Sequence, residues 1–174
     1  MKRLMAVSAA ALALGLATSS AASAAVAGAK SGTEVIQGST TKLSVIESNA
    51  SVVPLGAHGV VDTYGYIALS GPTNGRSTLY FHAGNLRVKH TQTSGGSQPS
   101  FNSKTCVASQ VQGGLYTVVA GTGKFYGAKG HGRYTVDFTA KFPRLKNGKC
   151  NASNSAKPIS GKISFLADGP LTVK

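Results

Sequence analysis

Apolar and polar residues alternate along much of the chain with the period of two that is typical of β-strands. The clearest case is the segment from Arg133 to Phe142, in which successive side chains are polar and apolar in turn. Tyr134, Val136 and Phe138 share one face, and Asp137 lies on the other. This pattern predicts an antiparallel strand that packs on the core through one face and exposes Asp137 to solvent.

Shorter patterns of the same kind predict further strands. They cover residues 41–47, 60–69, 78–91 with a break at 84–85, 106–112, 115–121, 158–166 and 171–174. Turn-forming Gly, Pro, Asn and Ser residues separate them. No apolar pattern with a helical period is sustained after the first 24 residues. Many short strands joined by Gly-rich turns predict an all-β domain, either a sandwich or a small closed antiparallel barrel.

The first 24 residues have the features of a signal peptide. Lys2 and Arg3 precede an apolar run at 4–17, and a small-residue cleavage site follows at 22–24. The apolar run is too short to span a bilayer as a helix, and no longer one follows it. We therefore expect a secreted, extracellular protein without a transmembrane span.

The remaining residues are enough for one domain. Residues 25–40 are mostly Ala, Gly, Ser and Thr, and this composition predicts a flexible lead-in. Residues 41–174 are then the barrel domain.

Cys106 and Cys150 are the only two cysteines in the chain. In an exported protein, pairing into a disulfide is the default. Two cysteines without a nearby histidine make a poor zinc site, so we predict a Cys106–Cys150 disulfide and no metal. No motif indicates an organic cofactor.

The segment from 121 to 132 is unusually rich in glycine, which accounts for five of its twelve residues. Repeated glycine is typical of bulges, sharp bends and close backbone approach. The glycine spacing matches neither the dinucleotide fingerprint nor the P-loop, and no helical pattern follows. A structural role is therefore favoured over phosphate binding.

This glycine-rich segment resembles the allene oxide cyclase and dirigent superfamily, in which a Gly-Thr-Gly-x-Phe-x-x-Ala-x-Gly segment bridges two barrel strands. The stretch from about 102 to 158 is also similar to small secreted actinobacterial proteins of unknown function. The residues that match the superfamily are Gly121, Thr122, Gly123, Phe125, Ala128 and Gly130, with Gly127 matching the cyclase branch in addition.

The resemblance implies an eight-stranded antiparallel β-barrel with a central cavity, and a homotrimer. Plant cyclases of this group use a cavity carboxylate and a bound water to close a strained epoxide, and dirigent proteins orient phenoxy radicals. Their catalytic residues lie largely outside the matched segment, so none is transferred to this chain.

Acidic residues are scarce, with five Asp and Glu in total. Glu34 falls in the expected lead-in and Asp137 faces outward. Of the other three acids, Glu47, Asp62 and Asp168, we take Glu47 and Asp62 as the candidate catalytic carboxylates. Three functions stay open: a non-enzymatic binder of a small hydrophobic or amphipathic molecule, a cyclase or isomerase acting in the cavity, and a structural envelope protein. A buried cavity carboxylate with a raised pKa would favour the enzyme.

The chain carries a formal net charge of +13. Eight basic residues lie between 104 and 149, where Asp137 is the only acid. A field of this sign attracts polyanions. The simplest interpretation is a solvated basic surface without a specific partner, and an anionic cell-wall polymer is the leading functional partner. Export and the absence of a nucleic-acid-binding motif argue against nucleic acid. The predicted basic surface comprises Lys124, Lys129, Arg133, Lys141, Arg144, Lys146 and Lys149.

Overall fold

The computed structural model describes residues 28–43, 51–69, 74–95, 99–153 and 155–174. The expected signal peptide at 1–24 and the candidate Glu47 lie outside the described residues. In the part of the chain that the structure describes, no helix is long and apolar enough to cross a bilayer.

The described residues form nine β-strands, all of whose pairings are antiparallel. The strands are β1 (Lys30–Thr40), β2 (Ser51–His58), β3 (Thr63–Leu69), β4 (Asn74–Phe81), β5 (Gly84–Ser94), β6 (Ser100–Asn102), β7 (Val107–Gly121), β8 (Lys129–Lys141) and β9 (Ser160–Val173). Their order is β5-β4-β3-β2-β1-β9-β8-β7, and β7 pairs with β5 to close the ring. Eight strands thus form a closed antiparallel barrel, with β6 added to the edge of β7. The predicted all-β barrel is confirmed.

The two ends of the barrel carry different connections. One end of the barrel carries Cys106 and Cys150, and we call it the disulfide end. There β1, β3, β5 and β8 end, and β2, β4, β7 and β9 begin. At the glycine-rich end, a short 3-10 turn (Gly123–Phe125) connects β7 to β8. Phe125 is completely buried there, and its ring lies 5.4 Å from that of Phe81. The large apolar face of Phe125 therefore seals this end of the core.

The strand with the clearest sequence pattern folds as predicted. On β8 the side chains at 133, 135 and 137 are exposed, and those at 134, 136 and 138 are half-buried. Tyr134, Val136 and Phe138 pack against the buried core. The predicted break at 84–85 is also present, because Gly84 begins β5 after the turn that follows Phe81.

The expectation of a flexible lead-in at 25–40 is wrong for residues 30–40, which form β1 between β2 and β9. β1 pairs with β9 along its whole length, from Lys30 opposite Val173 to Thr40 opposite Ile163. The inward-facing positions include Glu34, Ile36 and Gly38, so only Ile36 offers a large apolar side chain. Backbone hydrogen bonds to β9 hold this strand, and an apolar pattern could not have predicted it.

Other strands also differ from the predicted ones in position or extent. Residues 41–43 do not continue a strand, and the rest of the predicted 41–47 segment lies outside the described residues. Two predicted strand pairs merge into the single long strands β7 and β9. β2 was not predicted, and it contains Pro54, a residue that usually argues against a strand.

The predicted disulfide between Cys106 and Cys150 is confirmed, with the two Cα atoms 5.3 Å apart. It connects the residue before β7 to the loop between β8 and β9. Cys106 is buried, and its carbonyl accepts a hydrogen bond from the backbone N–H of Phe142 at 2.8 Å. The disulfide and this hydrogen bond fix the loop against the barrel.

Candidate functional site

The barrel encloses a cavity of about 160 Å³. Most of its wall is apolar and comes from β1, β3, β4, β5 and β9. The apolar lining consists of Ile36, Ile67, Ala68, Leu69, Leu79, Leu86, Val88, Phe165 and Ala167. A smaller polar set completes the lining, namely Arg76, Ser77, His90, Gln112, Tyr116 and Tyr134. A concave, mostly apolar site with a few convergent polar groups is the usual form of a small-molecule pocket.

Part of the cavity lining comes from the segments of β3 and β4 that do not pair with each other. These strands pair only at three positions near their glycine-rich ends, the last of which joins Ile67 to Leu79. Beyond Ile67, the described parts of the two strands have no register partners in each other. Ala68 and Arg76 lie in this gap, both line the cavity, and Arg76 is exposed. We call this part of the lining, around Ala68 and Arg76, the portal, because Arg76 both lines the cavity and is exposed to solvent.

Two tyrosines lie flat against the inner wall because their cross-strand partners are glycines. Tyr116 pairs with Gly132 and Tyr134 pairs with Gly114, in a reciprocal arrangement on β7 and β8. A Cβ atom on Gly132 would lie 2.7 Å from the Tyr116 hydroxyl, and one on Gly114 would lie 2.6 Å from the Tyr134 ring. Neither glycine could carry a side chain without displacing a ring, so the glycines set the shape of the cavity.

Both phenols remain protonated at neutral pH. Burial, followed by the nearby negative charges of Asp168 and Glu34, raises the pKa of Tyr116 to about 12. Burial also raises the pKa of Tyr134 above its ordinary value. Each phenol therefore presents a hydroxyl that can donate a hydrogen bond to a ligand.

His90 connects the portal to the two tyrosines. Its Nε2 lies 3.0 Å from the Ser77 hydroxyl, and its ring meets that of Tyr134 edge to face at 6.0 Å. Tyr116 is its partner in the β5–β7 register. Ser77, His90 and Tyr134 thus form a connected polar group on one side of a mostly apolar cavity.

Glu34 is the buried carboxylate of the barrel, with 2% of its surface exposed. Its Oε2 accepts hydrogen bonds from the backbone N–H groups of Val60 at 2.7 Å and Val61 at 3.1 Å. Its Oε1 has no hydrogen-bond partner among the described residues. Burial raises the pKa of Glu34 above its ordinary value, against the opposing effect of the two N–H donors. Glu34 is not part of the cavity lining.

This burial predicts an unusual pH dependence of stability. Because its pKa is higher in the folded chain, Glu34 favours folding when protonated, and stability falls as the pH rises from 4.5 through the raised pKa. In Glu34→Gln the side chain cannot ionise, so this fall should disappear. Urea unfolding of both proteins at a series of pH values measures the difference.

The matched control is Asp62→Asn, which removes a carboxylate that is exposed to solvent. We expect Asp62→Asn to keep the pH dependence of the wild type. If the free energy of unfolding changes with pH in the same way in the wild type and in Glu34→Gln, then Glu34 does not titrate in this range.

The structure places one of the two candidate carboxylates, Asp62, away from the cavity. Asp62 has 78% of its side chain exposed and lies 3.4 Å from His58 in the connection between β2 and β3. It does not line the cavity. Glu47 lies outside the described residues. Among the described residues, no group of His, Cys, Asp and Glu is arranged to hold a metal ion.

The residues of the glycine-rich motif lie at one end of the barrel, away from the cavity lining. The Thr122 hydroxyl accepts a hydrogen bond from the Asn85 N–H, and the Thr122 N–H donates to the Asn85 carbonyl, both at 2.9 Å. The Lys124 N–H donates to the Ala83 carbonyl at 2.8 Å. Phe125 and Ala128 are buried in the core. The motif therefore joins β7 to the β4–β5 turn and closes the barrel.

The predicted basic surface is divided among three places. Lys124 and Lys129 lie at the glycine-rich end, and Arg133 lies on the outer face of β8, opposite Asp168 on β9. The remaining four lie at the disulfide end, namely Lys141, Arg144, Lys146 and Lys149.

The sequence did not indicate the cavity residues Arg76, Ser77, His90 and Tyr116. It also did not indicate that Glu34 is the buried carboxylate. Alternation places His90 and Tyr116 on inward faces, which is a usable signal. Their meeting depends on the β5–β7 register, which a single sequence does not contain.

Comparisons with protein-family models, with curated proteins and with solved structures found no match to the chain. The resemblance of the glycine-rich segment to the allene oxide cyclase and dirigent superfamily therefore stays a prediction. A proposed function therefore depends on the residues in and around the cavity.

Proposed function

We propose that the barrel binds a small amphipathic molecule and does not transform it. The observation that supports this most directly is the apolar cavity with a polar group gathered at its portal. Apolar walls give a ligand its affinity by removing its hydrocarbon surface from water. The few polar groups orient the ligand, because a buried polar atom needs a hydrogen-bond partner.

The volume limits the size of the ligand. A cavity of about 150 Å³ lined by apolar side chains can hold a benzene molecule. The cavity here is of similar volume, about 160 Å³. We therefore expect one ring or a short branched chain inside the barrel, with any larger part of the molecule outside the portal.

The polar groups indicate what the other end of the ligand carries. The Arg76 guanidinium is a donor only, and protonated Tyr134 offers a hydroxyl. Both line the cavity, Arg76 at the portal on β4 and Tyr134 on β8. A carboxylate or hydroxyl at the portal would accept hydrogen bonds from these groups, and a carboxylate would gain the charge of Arg76 in addition.

Glu34 is the observation that favours the alternative function, a cyclase or isomerase. A buried carboxylate with a raised pKa is a common feature of catalytic sites. However, Glu34 hydrogen-bonds the backbone between β2 and β3 and lies outside the cavity lining. A general base must be within hydrogen-bond reach of the substrate, so binding without chemistry is the better-supported function.

Calorimetric titration with three probes that share a methyl-substituted benzene ring tests the proposal. Toluene has no polar end, p-cresol has a hydroxyl, and 4-methylbenzoate has a carboxylate. We expect 4-methylbenzoate to bind with a Kd on the order of 0.1 mM, more tightly than toluene. Ala167→Leu places extra volume in the cavity and should weaken binding at least about tenfold.

The matched control is Leu166→Phe, which adds volume on the solvent-facing side of the same strand. This variant should bind 4-methylbenzoate like the wild type. Thermal melting of each variant verifies that it is folded. If no probe binds, or if Ala167→Leu binds as well as the wild type, the cavity is not the ligand site.

We also propose that the protein is secreted. The Cys106–Cys150 disulfide supports this, because disulfides persist in oxidising compartments and are rare in the cytosol. Expression with the native first 24 residues tests it. Mass spectrometry of the protein from the medium should give a chain that begins near Ala25.

A further inference from the structure

Apolar and basic side chains lie together on the surface at the disulfide end. We define the basic tip as Phe101, Leu145, Ile159, Lys104, Lys146 and Lys149. Leu145 is 47% exposed, Ile159 is 55% exposed and Phe101 is 41% exposed. The three lysines are exposed as well. An exposed group of large apolar side chains among like charges is unusual on a protein that has no partner for it.

Specific contacts connect the members of the basic tip. The Leu145 N–H donates to the Lys149 carbonyl at 2.7 Å, which places Leu145 in a tight turn. The Ile159 N–H donates to the Lys141 carbonyl at 2.7 Å, next to Phe142. The rings of Phe101 and Phe142 meet edge to face at 6.2 Å. The tip therefore combines β6 with both ends of the loop between β8 and β9.

The turn that carries Leu145 is held in place by Arg144. The Arg144 guanidinium donates to the Gly148 carbonyl at 2.7 Å and to the Lys104 carbonyl at 2.5 Å. The Cys106–Cys150 disulfide fixes the same turn covalently. A surface that is already ordered loses little conformational entropy on binding.

Among the described residues, none of the lysines of the basic tip forms a salt bridge with an acid. Asp137 is the only acid between 99 and 153. It pairs with Ser164 in mid-strand, four residues from the end of β8 at Lys141, which is about 13 Å along the strand. The tip therefore presents a positive field to any partner that approaches this end.

The apolar side chains of the basic tip favour one kind of anionic partner over another. A soluble cell-wall polymer would satisfy the lysines but would leave Leu145, Ile159 and Phe101 in water. An anionic bilayer offers charged headgroups at its surface and hydrocarbon just below, so it accommodates both kinds of side chain. We propose that the basic tip binds anionic lipid membranes, with Leu145 and Ile159 inserted between the headgroups. This membrane binding does not depend on a ligand in the cavity.

Sedimentation of the whole protein with vesicles tests the proposal. We expect binding to vesicles of equal parts phosphatidylglycerol and phosphatidylcholine, and little binding to pure phosphatidylcholine. The double variant Lys146→Gln/Lys149→Gln should bind the anionic vesicles at least about tenfold more weakly. Leu145→Ser/Ile159→Ser should also weaken binding about tenfold, with the charge unchanged.

The glycine-rich end offers a matched control, because Tyr126 there is 67% exposed beside Lys124 and Lys129. The triple variant Tyr126→Ser/Lys124→Gln/Lys129→Gln should bind anionic vesicles like the wild type. All substituted side chains are exposed, and melting curves verify folding. Equal losses in this control and in Lys146→Gln/Lys149→Gln would overturn the proposal in favour of unspecific charge attraction.

Two other outcomes would also overturn it. One is the absence of binding to the anionic vesicles. The other is unchanged vesicle binding by Leu145→Ser/Ile159→Ser together with tight binding of the wild type to soluble polyphosphate, which would identify the tip as a site for a soluble polyanion.

Discussion

Replacing Phe125 by alanine should lower the free energy of unfolding by about 3–5 kcal/mol. Phe125 is completely buried, and its ring packs against Phe81 at the glycine-rich end. The 3-10 turn that carries it is hydrogen-bonded to the residue range 83–85, so the backbone cannot easily collapse into the space left by the ring. Urea unfolding followed by circular dichroism measures the loss.

Tyr126→Ala is the control, because it removes the neighbouring aromatic ring from a side chain that is 67% exposed. This variant should unfold within about 0.5 kcal/mol of the wild type. A loss below about 1 kcal/mol in Phe125→Ala would mean that the motif does not close the core. The expected result would assign the Gly-Thr-Gly-x-Phe segment a structural role in this chain.

Removal of the disulfide should have an effect of similar size. The bridge joins positions 44 residues apart, and closing a loop of that length restricts the unfolded chain by about 4 kcal/mol. The double variant Cys106→Ala/Cys150→Ala should therefore be about 4 kcal/mol less stable in urea. It should also bind anionic vesicles more weakly, because the turn around Leu145 loses its covalent attachment.

Reduction of the wild type provides the comparison for this variant. Unfolding in the presence of excess reductant should give nearly the same stability as the double variant, since both lack the cross-link. If neither treatment lowers stability by more than about 1 kcal/mol, the disulfide does not restrict the unfolded chain as proposed.

The parts of the fold that the sequence predicted are those with a strong local signal. Alternation on β8 gave the correct inward face, because a half-buried antiparallel strand separates apolar from polar side chains residue by residue. The disulfide followed from having two cysteines and an expected export signal. The glycine-rich segment was interpreted as structural because its spacing fitted no phosphate loop, and it forms the connection between β7 and β8.

The parts that were missed depend on partners distant in the chain. β1 is held by its ladder with β9, and its inward-facing residues include a carboxylate and a glycine, a composition typical of a loop. Glu34 is buried where the backbone N–H groups of Val60 and Val61, in the connection between β2 and β3, donate hydrogen bonds to its carboxylate. No local pattern contains such a contact.

A central cavity was expected from the family resemblance alone, and the side chains that line this cavity were missed for a related reason. Its shape depends on the pairing of Tyr116 with Gly132 and of Tyr134 with Gly114. Each pair joins residues that only the β7–β8 register brings together. The sequence contains many glycines, but it does not distinguish a glycine that allows a bend from a glycine that leaves room for an aromatic ring.

Methyl NMR spectra of the protein titrated with 4-methylbenzoate show whether the barrel cavity is a ligand site. We expect saturable shifts of the methyl groups that line the cavity, such as those of Ile36, Leu86 and Val88. Shifts confined to the exposed methyl groups of Val111 and Leu115, or no shifts at all, would contradict it.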